Sequence, residues 1–222
     1  MSYQSFEQVL QKCHTEEKEF WRVILEDDMA ERNVSEEDSM EHMRATWDAM
    51  LLAAATYEGN LNSSSGLVGG DGRRMEEYTR SAGTKSLCGE YVDTCIAGAL
   101  QMGESNACMK RIVAAPTAGA CGVLPAVLVP YFQKRCKDTD KILKAMYVAA
   151  GIGQIIATRS SISGAAGGCQ AEIGAASSMA AGALIAMAVD QFGYKPLRKK
   201  GVLAATGFIT ALGISTILRY TA

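Results

Sequence analysis

Residues 160–182 read SSISGAAGGCQAEIGAASSMAAG and place one cysteine, Cys169, between a glycine-rich turn and a helix of very small side chains. A thiol in the first turn of a helix faces the positive end of the helix dipole and backbone N–H groups that have no partner within the helix. These surroundings suit a thiolate, the form of cysteine that binds metals or attacks electrophiles. Small neighbours, among them Gly167, Gly168 and Ala171, leave room for a bulky group to approach the sulfur. The sequence therefore predicts chemistry at Cys169.

The spacing of apolar residues predicts an all-α fold. Between Phe6 and Glu31, apolar side chains recur at three- and four-residue steps, which is typical of one or two amphipathic helices. Ser35 and Asp38 resemble a capping box at the start of another helix, which continues to Tyr57. No stretch alternates β-branched residues over the length of a strand. Further helices are predicted over residues 73–78, 85–102 and 123–132, and from a cap at Asp138 through Tyr147.

Three loops rich in glycine and small polar residues interrupt the helices, at residues 59–72, 114–122 and 160–168. Glycine lets the backbone approach a ligand closely, and each loop precedes a helix start, where free N–H groups favour anions. We expect a helical bundle in which the glycine- and serine-rich loops converge on one pocket. A surface linker is the alternative interpretation of the 59–72 loop.

The composition restricts the class of protein. With 222 residues, of which 48% are hydrophobic, the chain can bury the core of one domain. A net charge of −2 and the lack of a long basic tract argue against nucleic-acid binding and favour a small-molecule or protein partner. His14 and His42 lie in charged amphipathic helices and near no nucleophile motif, so we expect both to be exposed and do not expect hydrolysis with a histidine base.

The cysteines show no metal-binding spacing of their own. Seven cysteines, at positions 13, 88, 95, 108, 121, 136 and 169, form no Cys-x-x-Cys pair. The first residues lack the basic and then apolar pattern of a secretory signal, which predicts a cytoplasmic protein with reduced thiols. We expect most of the cysteines other than Cys169 to be reduced core residues, because a free thiol packs as a small hydrophobic group.

The last segment, residues 201–218, contains no charged residue and follows the basic run at residues 198–200. About eighteen apolar residues are the lower limit for a membrane span, so a tail-anchored membrane protein is one interpretation. Threonine, serine and glycine residues within the run lower its hydropathy, and a buried helix explains it equally well. We therefore do not expect membrane association.

Three blocks of the sequence resemble one family. Residues 65–71 (SGLVGGD), 115–119 (APTAG) and 163–172 (SGAAGGCQAE) are similar, in this order, to blocks of the iron–sulfur-dependent L-serine dehydratase alpha chain. The resemblance implies a lyase that converts L-serine to pyruvate and ammonia without pyridoxal phosphate. It also implies a [4Fe–4S] cluster on three cysteines, with an open iron that acts as a Lewis acid on the substrate hydroxyl. Cys169 matches the first of these cluster cysteines.

The resemblance and the chemistry of the loops suggest roles for individual side chains. Loop hydroxyls are candidate donors to the carboxylate of L-serine, although each could instead cap a helix. Glu172 is a candidate catalytic base, with a helix-capping carboxylate or a supporting contact as the alternatives. A separate beta chain is the expected partner, because no regulatory domain is found in this sequence. The substrate-binding candidates are Ser65, Gly66, Thr117, Ser161 and Ser163.

The chain departs from the family pattern after Cys169. In the family, two further cluster cysteines lie in a Cys-Asp-Pro segment and a later Pro-Cys, and this sequence has no cysteine after Cys169. Cys121 is the one candidate substitute, because it lies in another loop of the pocket type. Such a chain is expected to bind no stable cubic cluster and to be inactive alone. A non-catalytic homologue that binds an amino acid or a partner chain is the alternative function.

The similarity fades near Asp190. This divides the sequence into a catalytic helical domain over residues 1–190 and a divergent apolar tail over residues 191–222. A truncated or frame-shifted gene is our hypothesis for the change. A Cys-Asp-Pro segment in another reading frame of the DNA would support it, and the lack of one in every frame would refute it.

Overall fold

The computed structural model describes residues 3–192, apart from the side chains of residues 84 and 190–192. Over this range the chain forms eight α-helices and no strand, which confirms the all-α prediction. The apolar run 201–218 and nearly all of the predicted tail lie outside the described residues. The helices are α1 (Phe6–Thr15), α2 (Phe20–Arg32), α3 (Glu36–Ala55), α4 (Asp71–Ala82), α5 (Glu90–Ala107), α6 (Val123–Tyr131), α7 (Thr139–Arg159) and α8 (Gly164–Phe192).

The chain divides into two compact units. The central unit comprises Thr46–Lys137, and the terminal unit comprises Met1–Ala45 and Asp138–Ala222 as far as these residues are described. The sequence assigns residues 1–190 to one helical domain, which stays a prediction. The helical spacing of the sequence continues unbroken across the boundary inside α3, so the pattern carries no signal of a division there.

The core of the terminal unit lies between α1, α2 and α7, and α8 packs on α7. Glycines in α7 set how closely its neighbours approach, because side chains in protein interiors are close-packed. A Cβ on Gly151 would lie 2.6 Å from Ile24, and one on Gly153 would lie 2.7 Å from Met179 Sδ. The buried cluster consists of Val9, Val23, Ile24, Leu25, Tyr147 and Ile155.

Two helix caps predicted from the sequence are present in the terminal unit. Ser35 Oγ accepts a hydrogen bond from Asp38 N at 3.1 Å, and the Asp38 carboxylate accepts one from Ser35 N at 3.3 Å. This is the capping box at the start of α3. The Asp138 side chain accepts from the N–H groups of Asp140 and Lys141 at the start of α7. Both predictions are confirmed.

The central unit packs α4 on α5 and α5 on α6. The contact between α4 and α5 requires a glycine at position 72, because a Cβ there would lie 2.7 Å from Gln101 Cγ and 3.0 Å from Tyr57 Oη. Between α5 and α6, Tyr91 Oη donates to Val127 O at 2.9 Å. Burial raises the pKa of Tyr91, which keeps this hydroxyl a donor.

Helix α5 begins at Glu90 rather than at the predicted Lys85, and it ends at Ala107 rather than Met102. The residue before it, Gly89, has φ 82° and ψ 157°, a backbone conformation that no α-helix contains. Apolar spacing alone does not reveal this break, because the glycine lies within a pattern that still fits a helix.

Helix α8 is the one described helix that is long and apolar enough to cross a membrane, by length and composition over Gly164–Val189. Half of its apolar window is buried inside the structure. A core helix passes the same test, and α8 packs on α7 in the terminal unit. We interpret α8 as a core helix.

Candidate functional site

The turn before Cys169 has the form that the sequence predicts. Gly168, with φ 74° and ψ 177°, breaks α8 into a short turn over residues 164–167 and the long helix that begins at Cys169. This backbone conformation is essentially restricted to glycine. The Cys169 side chain is exposed, as a thiol that binds metal or reacts must be.

The same stretch contains three other predicted site residues. The Ser163 N–H donates to Ser161 Oγ at 3.3 Å, and the two serine hydroxyls are 3.4 Å apart. A Cβ on Gly164 would lie 3.0 Å from Glu172 Oε2, so the glutamate carboxylate folds back against the turn. We call residues 160–172 the Cys169 loop. It presents two hydroxyls, a carboxylate and a thiol.

Ser65 and Gly66 lie at the exposed tip of residues 61–70, which we call the Ser65 loop. The loop closes on itself: the Ser63 N–H donates to Val68 O at 2.8 Å, and the Gly66 N–H donates to Ser63 O at 2.9 Å. Ser65 Oγ lies 3.1 Å from Ser63 Oγ. The tip therefore offers a serine hydroxyl and a glycine backbone to solvent.

The Ser65 loop ends at a buried carboxylate that the sequence analysis missed. Glu104 in α5 is 3% exposed. Its Oε1 accepts from Asp71 N at 2.6 Å and Gly72 N at 3.0 Å, and its Oε2 accepts from Tyr57 Oη at 2.5 Å. Burial, and then the hydrogen bond to Glu104, raise the pKa of Tyr57. The start of α4 was the available signal in the sequence. Gly70 at the N-cap has no side chain that could accept a hydrogen bond, so the first N–H groups of the helix need an acceptor from elsewhere in the chain.

Thr117 lies in the 114–122 loop, directly after a cis peptide between Ala115 and Pro116. The loop is held by Asn106, whose Nδ2 donates to Ala118 O at 3.0 Å. Thr117 Oγ1 is buried and has no hydrogen-bond partner within the part of the chain that the structure describes. Buried hydroxyls are usually bonded, so a ligand could satisfy this one.

The candidates are divided between the two units. Ser65, Gly66 and Thr117 belong to the central unit, and the four candidates of the Cys169 loop belong to the terminal unit. The convergence of the three loops on one pocket therefore stays a prediction.

Two cavities lie away from these candidates. The central unit has a cleft of about 830 Å³, with rim charges that pair with each other, as Lys134 does with Glu90 at 2.5 Å. The terminal unit has a cavity of about 430 Å³ beside Trp21 and Lys144, whose ammonium lies 4.9 Å from the centre of the Trp21 ring. Neither cavity is lined by a predicted site residue. We therefore base the function on the Cys169 loop.

The described residues do not fit a complete iron–sulfur cluster. Within residues 3–192, no three His, Cys, Asp or Glu side chains form a group that could hold a metal ion. Cys169 supplies one thiolate, and a cubic cluster takes three or four. Cys121 is a poor substitute: it is buried, burial raises the pKa of its thiol, and its sulfur points to Met102 O at 3.9 Å.

Two further predictions concern exposure. Of the cysteines other than Cys169, Cys121 is buried, four are partly exposed (Cys13, Cys95, Cys108 and Cys136) and Cys88 is exposed, so the expectation that most of them are core residues is wrong. Cys88 lies in the short segment directly before α5, between Ser86 and Gly89, and belongs to no helix. His14 and His42 are exposed, as predicted.

The sequence profile of the family described as serine dehydratase alpha chain matches residues 15–192. With its all-α fold and its cysteine at a glycine-broken helix start, the chain belongs to the serine dehydratase alpha chain family. The resemblance of the three sequence blocks is thereby confirmed.

Curated relatives agree with this family. The L-serine dehydratase alpha chain of Peptoniphilus asaccharolyticus is 35% identical over 184 residues, which cover 81% of this chain and 61% of the relative. A Bacillus subtilis (strain 168) protein named probable L-serine dehydratase, alpha chain, is 36% identical over 166 residues, covering 75% of this chain and 55% of the relative. The L-serine dehydratase of Haemophilus influenzae is 33% identical over 189 residues, or 82% of this chain and 40% of the relative. The chain thus spans little more than half the length of the two alpha chains.

Proposed function

We propose that this chain is the alpha chain of an L-serine dehydratase, an enzyme that converts L-serine to pyruvate and ammonia, and that it works together with a beta chain. The Cys169 loop carries the proposal: it contains an exposed thiol at a helix start, two serine hydroxyls and a carboxylate, in a chain of this family. The names of the relatives support L-serine as substrate and a beta chain as partner. A cytoplasmic location, where thiols stay reduced, is part of the proposal.

The reaction needs a base and groups that hold the substrate. Removal of the α-proton by a base and departure of the β-hydroxyl, a net loss of one water from L-serine, give an enamine; the enamine tautomerises to an imine, which water hydrolyses to pyruvate and ammonia. Glu172 is the proposed acceptor of the α-proton, because its carboxylate folds back against the turn at Gly164. The hydroxyls of Ser161 and Ser163 are the proposed donors to the substrate carboxylate.

In the central unit, Ser65, Gly66 and Thr117 remain proposed substrate-binding residues. The exposed tip of the Ser65 loop and the unpartnered hydroxyl of Thr117 support these roles. Both loops also match blocks of the family.

Cys169 is the iron ligand that we propose this chain supplies. Among the described residues, no further ligand side chains group with Cys169 to complete a metal site. We therefore expect the 222-residue chain to hold far less than one cubic cluster after anaerobic reconstitution with iron and sulfide. Iron and sulfide analysis measures this. A stoichiometric four-iron content would contradict the expectation.

Binding of L-serine tests the proposed function. L-serine is titrated calorimetrically into the anaerobic chain, with D-serine as the stereochemical control. We expect saturable binding of L-serine that Ser163→Ala weakens by about five-fold, the worth of one hydrogen bond. Ser177→Ala, at an exposed serine further along α8, is the matched control and leaves binding unchanged. A chain shown by circular dichroism to be folded that binds no L-serine would refute the proposal.

A catalytically inactive homologue that binds an amino acid is the second candidate function. The single thiol of the Cys169 loop favours it, since the described residues complete no metal site. It predicts binding of L-serine without pyruvate release. Pyruvate formed from L-serine in the absence of oxygen would exclude it.

A further inference from the structure

We propose that Glu104 is a positioning residue for the Ser65 loop: its buried carboxylate holds the first turn of α4 and thereby fixes the residues that precede it. The part of this inference that concerns L-serine rests on the proposed function, because it uses Ser65 and Gly66 as substrate-binding residues. The part that concerns loop geometry is independent of that function.

The start of α4 lacks a local cap. Its N-cap residue is Gly70, which has no side chain that could accept a hydrogen bond from the first turn of the helix. The first N–H groups of a helix need acceptors when they are buried, and Gly72 is buried. Glu104 provides the acceptor from 33 positions further along the chain, through its bonds to Asp71 N and Gly72 N. A carboxylate in this place gains from the helix dipole and forms charge-assisted hydrogen bonds.

Both carboxylate oxygens are used, which fixes the orientation of the group. Oε1 binds the two backbone N–H groups and Oε2 binds Tyr57 Oη, so the segment after α3, the start of α4 and α5 meet at one side chain. The fit is close, because a Cβ on Gly72 would lie 3.0 Å from Tyr57 Oη and 2.7 Å from Gln101 Cγ. The first turn of α4 therefore has little freedom to shift relative to α5.

The rest of the Ser65 loop has few external anchors. Leu61 at its start is 9% exposed, whereas Leu67 near its tip is 88% exposed. The hydrogen bonds at the tip join residues of the loop to each other, as between Ser63 and Val68. The bonds to Glu104 thus fix the carboxyl end of the loop from outside it.

Two variants at Glu104 and one control test this role. Hydrogen exchange is measured by mass spectrometry over residues 61–72, with residues 139–159 of α7 as the internal reference, and the Kd for L-serine is measured by titration. Glu104→Ala is expected to speed exchange in 61–72 alone and to raise the Kd by about ten-fold, the loss of hydrogen bonds to a charged group. Glu77→Gln, an exposed carboxylate on α4, removes the same charge and is expected to change neither quantity.

Glu104→Gln is the conservative variant. Its amide oxygen can accept both backbone N–H groups, and its NH₂ can donate to Tyr57 Oη, since a hydroxyl both donates and accepts. We expect exchange in 61–72 between that of wild type and Glu104→Ala, and a Kd within about three-fold of wild type, because the hydrogen bonds persist without the charge. Should Glu104→Ala fail to fold, faster exchange in 61–72 of Glu104→Gln carries the proposal.

The outcomes separate this inference from the proposed function. Unchanged exchange in 61–72 in every folded Glu104 variant overturns the positioning role and leaves L-serine binding by wild type untouched. Faster exchange in Glu104→Ala with an unchanged Kd for L-serine shows a cap that stabilises the helix only, and it also overturns the proposal. If wild type binds no L-serine but Glu104→Ala opens 61–72, the proposed function fails and the control of loop position by Glu104 stands.

Discussion

The two candidate loops are held in place by different forces. The Ser65 loop of the central unit ends on a buried carboxylate, with three hydrogen bonds to Glu104 at the base of α4. The Cys169 loop of the terminal unit depends on glycine: Gly168 adopts a conformation closed to other residues, and a Cβ on Gly167 would lie 2.6 Å from Ala171 Cβ. One loop is stabilised by a charge from a distant part of the sequence, and the other by the absence of side chains.

This difference predicts different sensitivities. The hydrogen bonds to Glu104 can be removed one at a time, so substitutions at the base of the Ser65 loop should lower the free energy of unfolding in small steps. The backbone conformation of Gly168 is open only to glycine, so even one added methyl group there should lower the free energy of unfolding strongly.

The largest effect is expected at Gly168. Gly168→Ala places a Cβ on a residue with φ 74° and ψ 177°, and it should lower the free energy of unfolding by about 3 kcal/mol, the upper range for such strain. Urea unfolding measures this. Gly174→Ala, on the same helix with open space at its Cβ, is the control and should stabilise the chain by up to about 1 kcal/mol. Equal stability of the two variants would remove glycine as the basis of the Cys169 loop.

A smaller effect is expected at Gly72, where α4 meets α5. Gly72→Ala brings a Cβ within 3.0 Å of the backbone nitrogen of Gln101, and it should destabilise the chain by about 2 kcal/mol through overpacking. Thermal and urea unfolding measure the change. Gly103→Ala, in α5 with nothing near its Cβ, is the matched control and should not destabilise. Tolerance of the Gly72 methyl group would mean that the contact between α4 and α5 is looser than the structure indicates.

The smallest of the three effects is expected at Tyr57. Tyr57→Phe removes one of the three hydrogen bonds to Glu104 while the two backbone bonds persist, which should lower the free energy of unfolding by about 1 kcal/mol. Tyr78→Phe, at an exposed tyrosine of α4, is the control and should have no measurable effect. If both variants unfold at the same urea concentration, the hydroxyl of Tyr57 adds nothing to the cap.

Local signals in the sequence predicted much of this structure. The caps at Ser35 and Asp138 and the loop before Cys169 were all predictable, because each depends on residues a few positions apart. Glu104 was not predictable in the same way, because its partners are about 30 to 50 positions away and the helix it caps begins after a glycine.

The division into two units has no signal in the sequence for a similar physical reason. Helical periodicity reports which face of a helix is buried and says nothing about which other helix covers it. A boundary inside the continuous helix α3 leaves that periodicity unchanged.

The proposed binding of L-serine in the Cys169 loop, beside an exposed thiol, would shield that thiol from reagents. The most direct test is the rate at which iodoacetamide alkylates Cys169 in the anaerobic chain, followed by mass spectrometry with and without L-serine. Cys88, an exposed thiol of the central unit, is the internal reference. At ten times the Kd, L-serine should slow alkylation of Cys169 about ten-fold by mass action and leave Cys88 unchanged. Alkylation of Cys169 at the same rate in saturating L-serine would mean that L-serine does not bind in the Cys169 loop.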